Sequence, residues 1–388
     1  MEIVKKWDWW TLLLYIILAV ITAICFRQAI IEKKRKSVIK IYKYKLQTKY
    51  IYYLIIYLLF VIFSSFRYIG YDIGGTDTNT YIDYFNNAKY VSFDVKETIL
   101  LNSYEYLFYN TMFVIKALGG TYRIFLFIVN SIIISCLIYY VDKEIEDENK
   151  CIWLVLAYLP LLKSFNIIRN SISAFLGCVA ISLLSKDKYK YSIILTLLAY
   201  LNHYIAIILF VAIIFYKYFP NKILEDKKKM IFLNAIFIIA PIIFLPLMKA
   251  IMANTGYANY VNKIQISLWG YIPYFLIYVL TVFTPEFIEY LKKCNHYGYY
   301  KIIYFLSLIL PIFISINAAY RVLLFFELPA ILLLADLTEY YKKYIPAKHE
   351  KLYYTIIMLI ILGYYIFRIC RMWDSSGIMP YYNILFMK

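Results

Sequence analysis

Apolar and polar positions in this chain do not alternate. They come in blocks. Runs of roughly 15 to 25 apolar residues recur from Trp9 onward, each about the length a helix needs to cross a bilayer. Polar loops between them are short, and the longest polar stretch runs only from Tyr71 to Tyr104. The alternation of a membrane β-barrel is absent. The pattern predicts an all-α polytopic membrane protein forming a single integral membrane domain over residues 1–388, with no soluble domain. The first run, Trp9–Phe26, is too long for a typical signal-peptide core and lacks a small-residue cleavage site. It is flanked by Lys33-Lys34-Arg35-Lys36, so it reads as a retained first helix.

Lysine placement orients the spans. Residues 32–49 carry eight Lys and Arg, which marks a cytoplasmic loop. The loops around Lys186–Lys190, Lys217–Lys229, Lys292–Lys301 and Lys342–Lys351 read the same way. Counting from both ends conflicts if every apolar run crosses. The run 104–118 is short, carries Tyr104, Glu105, Tyr106, Tyr109 and Asn110, and ends at Gly119-Gly120, so it is expected to be re-entrant or interfacial. The result is about twelve crossings with both termini outside and an outer loop over residues 71–120.

Composition adds two constraints. The net charge of +17 sits in short loops beside spans, which fits anionic lipid headgroups and not nucleic acid. The six cysteines are scattered, with no CxxC or metal spacing, and read as packing residues; no metal site or cofactor is expected. His296 and His349 fall in lysine loops and read as solvated.

This topology gathers ionisable residues on the outer face. Arg67 ends a span, Arg169 starts one, and Arg321 lies between two. Charge at membrane depth is costly and marks function by default. Guanidinium forks hold phosphate bidentately and stay charged, so these arginines are candidate ligands for a phosphorylated substrate. Asp72 and Asp77 flank Gly74-Gly75, where a glycine pair permits a tight turn or close backbone approach. Asp77, with Asp72 and His203 as the other candidates, would orient or deprotonate a sugar hydroxyl. Tyr81, Tyr257, Tyr320 and Glu105 are candidate substrate contacts. No Walker lysine follows the glycines, so ATP binding is not expected.

At these residues the chain resembles the EpsG/Wzy-type polysaccharide polymerases. The element Arg67…Gly70-Tyr71-Asp72…Gly75-Thr76-Asp77-Thr78…Tyr81 looks like their first signature. Ile168-Arg169-Asn170-Ser171-Ile172-Ser173-Ala174 resembles an "I-R-Q-x-[IL]-A" helix start, with Asn170 where glutamine is usual and Ser173 before Ala174. Leu198-Ala199-Tyr200-Leu201-Asn202-His203 resembles "A-x-x-x-H". Tyr320-Arg321 and Met379-Pro380-Tyr381 match later landmarks, in the same order. The resemblance implies a GT-C-like architecture and an outward-facing active site in the cytoplasmic (inner) membrane of a bacterium. The implied reaction is metal-independent polymerisation of undecaprenyl-diphosphate-linked oligosaccharide, as both donor and acceptor. A chain-length regulator and a flippase are the implied partners. The competing readings are a flippase of lipid-linked sugar and an O-antigen ligase-like transferase. Charges gathered on one face disfavour transport.

Overall fold

The computed structural model describes residues 6–41, 44–70, 73–94, 105–233, 277, 284–313 and 319–385. The described residues are about 78% helical, in agreement with an all-α membrane protein. Among the described helices are α1 (Trp9–Arg35), α2 (Lys49–Ser65), α3 (Thr78–Asn86), α4 (Tyr106–Ala117), α5 (Tyr122–Glu144), α6 (Leu154–Lys163), α7 (Ile168–Leu184), α8 (Tyr189–Asn202) and α9 (Ile207–Tyr218). They continue with α10 (Pro285–Lys293), α11 (Tyr297–Phe313), α12 (Ala319–Leu323), α13 (Glu327–Lys342) and α14 (Glu350–Ser376). The two spans expected between Lys229 and Lys292 lie outside the described residues.

Among the described residues, α1, α5 and α14, the last with its leading turn from Ala347, are long and apolar enough to cross a membrane. Shorter apolar helices are α2, α7 and the stretch Tyr204–Tyr218 that contains α9. Their outward faces carry apolar stripes at helical spacing, such as Leu13, Ile17, Ile21 and Ile24 on α1 and Leu352, Ile356, Leu359 and Ile360 on α14. A helix exposing such a stripe while burying its other face is solvated by lipid, not water. Trp9 and Trp10 stand exposed at the start of α1, where indole rings favour the headgroup level.

The run 104–118 becomes α4, twelve residues long and so short of a full crossing. One element was not anticipated. The lysine-rich stretch after α1 folds as an antiparallel hairpin, β1 (Val38–Ile41) with β2 (Tyr44–Gln47), pairing Ile39 with Leu46 and Lys40 with Lys45.

The chain divides into two compact units. Unit 1 comprises residues 1–90, 109–175 and 341–388, and unit 2 comprises 91–108 and 176–340. In unit 1, α1 packs on α2 and α6, α2 on α5, and α14 on α6. Its core includes Tyr15, Phe26, Phe125 and Tyr365, each essentially inaccessible. In unit 2, α9 packs on both α8 and α11.

Candidate functional site

In unit 1 the polar loop after α2 is a built structure. Helix α2 ends at Ser65, leaving carbonyls without helical partners. Arg67, only 1% exposed, turns back over them. Its Nη1 donates to Ser64 O, its Nε to Gly74 O at 2.7 Å and its Nη2 to Phe165 O at 3.1 Å. The guanidinium also lies 4.7 Å from the Phe165 ring centroid. Burial draws its pKa down to about 10, still far above neutrality. Arg123 ties the same corner from outside, with Nη1 donating to Ser65 O at 2.9 Å and Arg67 O at 2.6 Å.

The glycines explain how the loop closes so tightly. Gly74 and Gly75 have φ of +76° and +113°. A Cβ on Gly75 would fall inside the contact distance of Phe165 O and Thr78 Oγ1, and one on Gly74 would collide with Tyr68 O. Only glycine fits both the conformation and the space. Thr78 Oγ1 then donates to Phe165 O at 2.8 Å, and α3 begins.

Two further segments lock onto this loop. Asn166 Oδ1 accepts from Asp77 N at 2.7 Å and from Thr76 Oγ1 at 2.8 Å. The C-terminal tail supplies Gly377 O to Gly74 N and Gly75 N, and Tyr382 O to Tyr68 N at 2.7 Å. Tyr381 stacks on Phe63 at 4.0 Å, and its hydroxyl donates to Phe63 O at 2.8 Å. Burial pushes that hydroxyl up to about 12, so it remains a donor at any working pH.

Arg169 sits at the start of α7, half-buried, three residues after Asn166. Its guanidinium lies 5.6 Å from the Tyr81 ring and 5.9 Å from the Tyr109 ring, and Nη1 donates to Tyr109 Oη at 3.3 Å. Two aromatic faces thus orient a cation at a helix N-terminus, where the backbone favours anions. Asp77 is half-buried at the N-cap position of α3.

Unit 2 holds the other candidates. Glu105 and His203 are 4% and 2% exposed and face one another, Oε1 to Nδ1 at 2.9 Å. A carboxylate facing Nδ1 orients the imidazole ring and favours the proton on that nitrogen. Glu105 is therefore placed against His203, a pairing not expected from sequence. Arg321 is half-buried on α12. Of Tyr320 only the backbone is described, and Asp72 and Tyr257 lie outside the described residues.

The guanidinium of Arg67, expected to hold substrate, is directed by its Nε, Nη1 and Nη2 bonds to backbone carbonyls inside the protein. One sequence reading needs correction. His296 was expected to be solvated; it is 7% exposed, with Nδ1 2.7 Å from Asp336 Oδ2. Asn166 and Arg123 were missed. Arg123 carried the same signal as Arg169, an arginine opening an apolar run.

A model of the EpsG family matches residues 50–383. The chain belongs to the EpsG family. The match takes in the glycine loop, Asn166, Arg169, His203, Arg321 and the tail through Asn383, while α1 and the hairpin precede it. No curated protein and no solved structure matches this EpsG-family chain.

Proposed function

We propose that the chain is a membrane glycosyltransferase that polymerises lipid-linked oligosaccharide repeat units at the outer face of the cytoplasmic membrane. Membership of the EpsG family over residues 50–383 carries this reading. The undecaprenyl-diphosphate donor, the GT-C-like architecture, the twelve crossings and the outer placement of both termini belong to the same proposal.

In the reaction an acceptor hydroxyl oxygen attacks the anomeric carbon of the donor. The bond from that carbon to the diphosphate oxygen breaks, and the diphosphate leaves with the electron pair. The hydroxyl proton passes to a base. Arg169 is assigned to the diphosphate because its guanidinium is oriented by Tyr81 and Tyr109 while the side chain stays only half-buried. Arg321 is assigned the same role. Stabilising charge on a leaving group with fixed cations is the largest contribution such a site can make. His203 is the better base, because Glu105 aligns its ring. Asp77 is the alternative, held in place through its backbone by Asn166. Arg67 acts as a positioning residue that shapes the loop carrying Asp77.

The test is complementation of a deletion strain, with surface glycan resolved on a gel. Arg169→Ala and Arg321→Ala should each abolish the long ladder while a single repeat unit is still displayed and the protein remains in the membrane. A normal ladder from either variant would remove that arginine from the diphosphate site. Loss of even the single repeat unit from the deletion strain, with precursor retained inside, would favour a flippase.

A further inference from the structure

Unit 1 contains a second feature that the glycan reading does not use. A cleft of about 520 Å³ opens between α1, α6, α14 and the turn before α6. Its apolar walls include Val20, Ile24, Ile152, Val155, Met358 and Leu359. Its mouth carries two cations, Arg27 and Lys351. Both are exposed, and neither side chain makes a hydrogen bond or ion pair among the described residues. The acidic group in the lining, Glu148, is ion-paired with Lys34, whose ammonium holds its carboxyl below the usual range with a smaller pull from Arg27. The mouth therefore keeps an excess of positive charge.

The depth of the cleft suits a lipid. Arg27 lies eighteen residues along α1 from Trp9, about 27 Å, close to the ~30 Å hydrocarbon thickness of a bilayer. With the tryptophans at one headgroup level, Arg27 sits at the other, on the Lys33–Arg35 side. From there the apolar wall runs seven residues back to Val20 on α1, about 10 Å, and eight residues from Lys351 to Leu359 on α14, about 12 Å. An apolar slot about 10 Å deep, roofed by cations at the headgroup level, matches an acyl chain under an anionic headgroup.

We propose that this cleft is a binding site for one anionic glycerophospholipid, an acyl chain lying between α1 and α14 and its phosphate meeting Arg27 and Lys351. Arg27 precedes the family-matched residues, so the site is not implied by family membership.

The full-length protein, purified in a neutral detergent, is titrated with dioleoylphosphatidylglycerol or dioleoylphosphatidylcholine, and bound lipid is counted by native mass spectrometry. Two cations on one headgroup predict that the first phosphatidylglycerol binds about 30-fold more tightly than phosphatidylcholine. The paired change Arg27→Gln with Lys351→Gln should erase the preference. Thr355→Trp, which puts bulk into the cleft at an exposed position, should weaken phosphatidylglycerol binding without touching either cation. Equal binding of the two lipids, a preference that survives the paired change, or unaltered binding in Thr355→Trp would overturn the proposal. So would displacement of phosphatidylglycerol by an equal concentration of undecaprenyl phosphate, which would make the cleft a prenyl-lipid site.

Discussion

Arg67 offers the sharpest test of how the loop is built. Three donors from one guanidinium meet Ser64 O, Gly74 O and Phe165 O in the interior. A hydrogen bond from a charged donor contributes about 1.5–3 kcal/mol. The three are not independent, because Thr78 Oγ1 lies within hydrogen-bond distance of both Gly74 O and Phe165 O, and its one proton would still serve one of them after the change. Arg67→Leu therefore strands Ser64 O outright and weakens the other two, a loss of about 4 kcal/mol. For a folding unit on the order of 200 residues, that corresponds to a drop of about 10 °C in Tm. Arg67→Lys retains charge but not the fork, and should fall between.

The assay is thermal unfolding of purified protein in detergent, followed by the intensity of the monodisperse size-exclusion peak after heating. Arg169→Ala serves as the contrast, because its guanidinium lies on aromatic faces and should lower Tm little while removing the glycan ladder. If Arg67→Leu melts within about 2 °C of the parent and still abolishes product, the scaffold assignment fails and Arg67 returns to the substrate site.

Three other outcomes are expected. Gly75→Ala combines a positive φ with a collision at Phe165 O, so it should reduce folded protein in the membrane; strain of about 1–3 kcal/mol is the minimum, and wild-type levels and Tm would contradict the loop geometry. Glu105→Gln keeps the shape of the side chain but removes the carboxylate opposite His203, and should cut polymer synthesis by about 100-fold or more with Tm little changed; undiminished synthesis would remove His203 as the base. Truncation after Ser376 removes the acceptors for Tyr68 N, Gly74 N and Gly75 N and the Tyr381 stack, at about 1 kcal/mol for each contact, and should leave little monodisperse protein on size exclusion; a sharp peak at wild-type Tm would show the tail to be dispensable.

Some of this was legible in the sequence because the chemistry is local. Two adjacent glycines before an Asp-Thr pair call for unusual backbone, and Gly74 and Gly75 both take positive φ. An apolar run opened by an arginine is costly enough to stand out, and Arg169 was found that way. What was missed depends on partners distant in sequence. Arg67 and Arg169 look equivalent, one ending a run and one opening another, yet Phe165, 98 positions away, turns the first inward. Glu105 and His203 are likewise 98 positions apart, so no short motif links them. His296 lies among lysines, and nothing nearby announces Asp336, 40 positions on. The hairpin is legible too, since Ile39-Lys40-Ile41 and Lys45-Leu46 alternate, although the charge of the segment dominates its pattern.

The contacts around the loop suggest why this part of the chain is so heavily braced. Asp77 caps one helix and Arg169 opens another, and their relative placement depends on Asn166, which accepts from the Thr76 hydroxyl and the Asp77 amide three positions before Arg169. That clamp is only as firm as the backbone on either side. On one side Arg67 and Thr78 both fasten to Phe165 O, the residue before Asn166. On the other, Gly377 O receives the two glycine amides that precede Thr76. Pairing a buried arginine, a glycine pair and the 377–382 segment around one asparagine is a way to hold short polar segments rigid, so that Asp77 and Arg169 keep one relative placement. Fixed dipoles and cations aid a transition state because they need no reorganisation when charge develops. The family match ends at Asn383, which bridges back to Arg67, so the bracing and the residues it positions fall within the same matched segment.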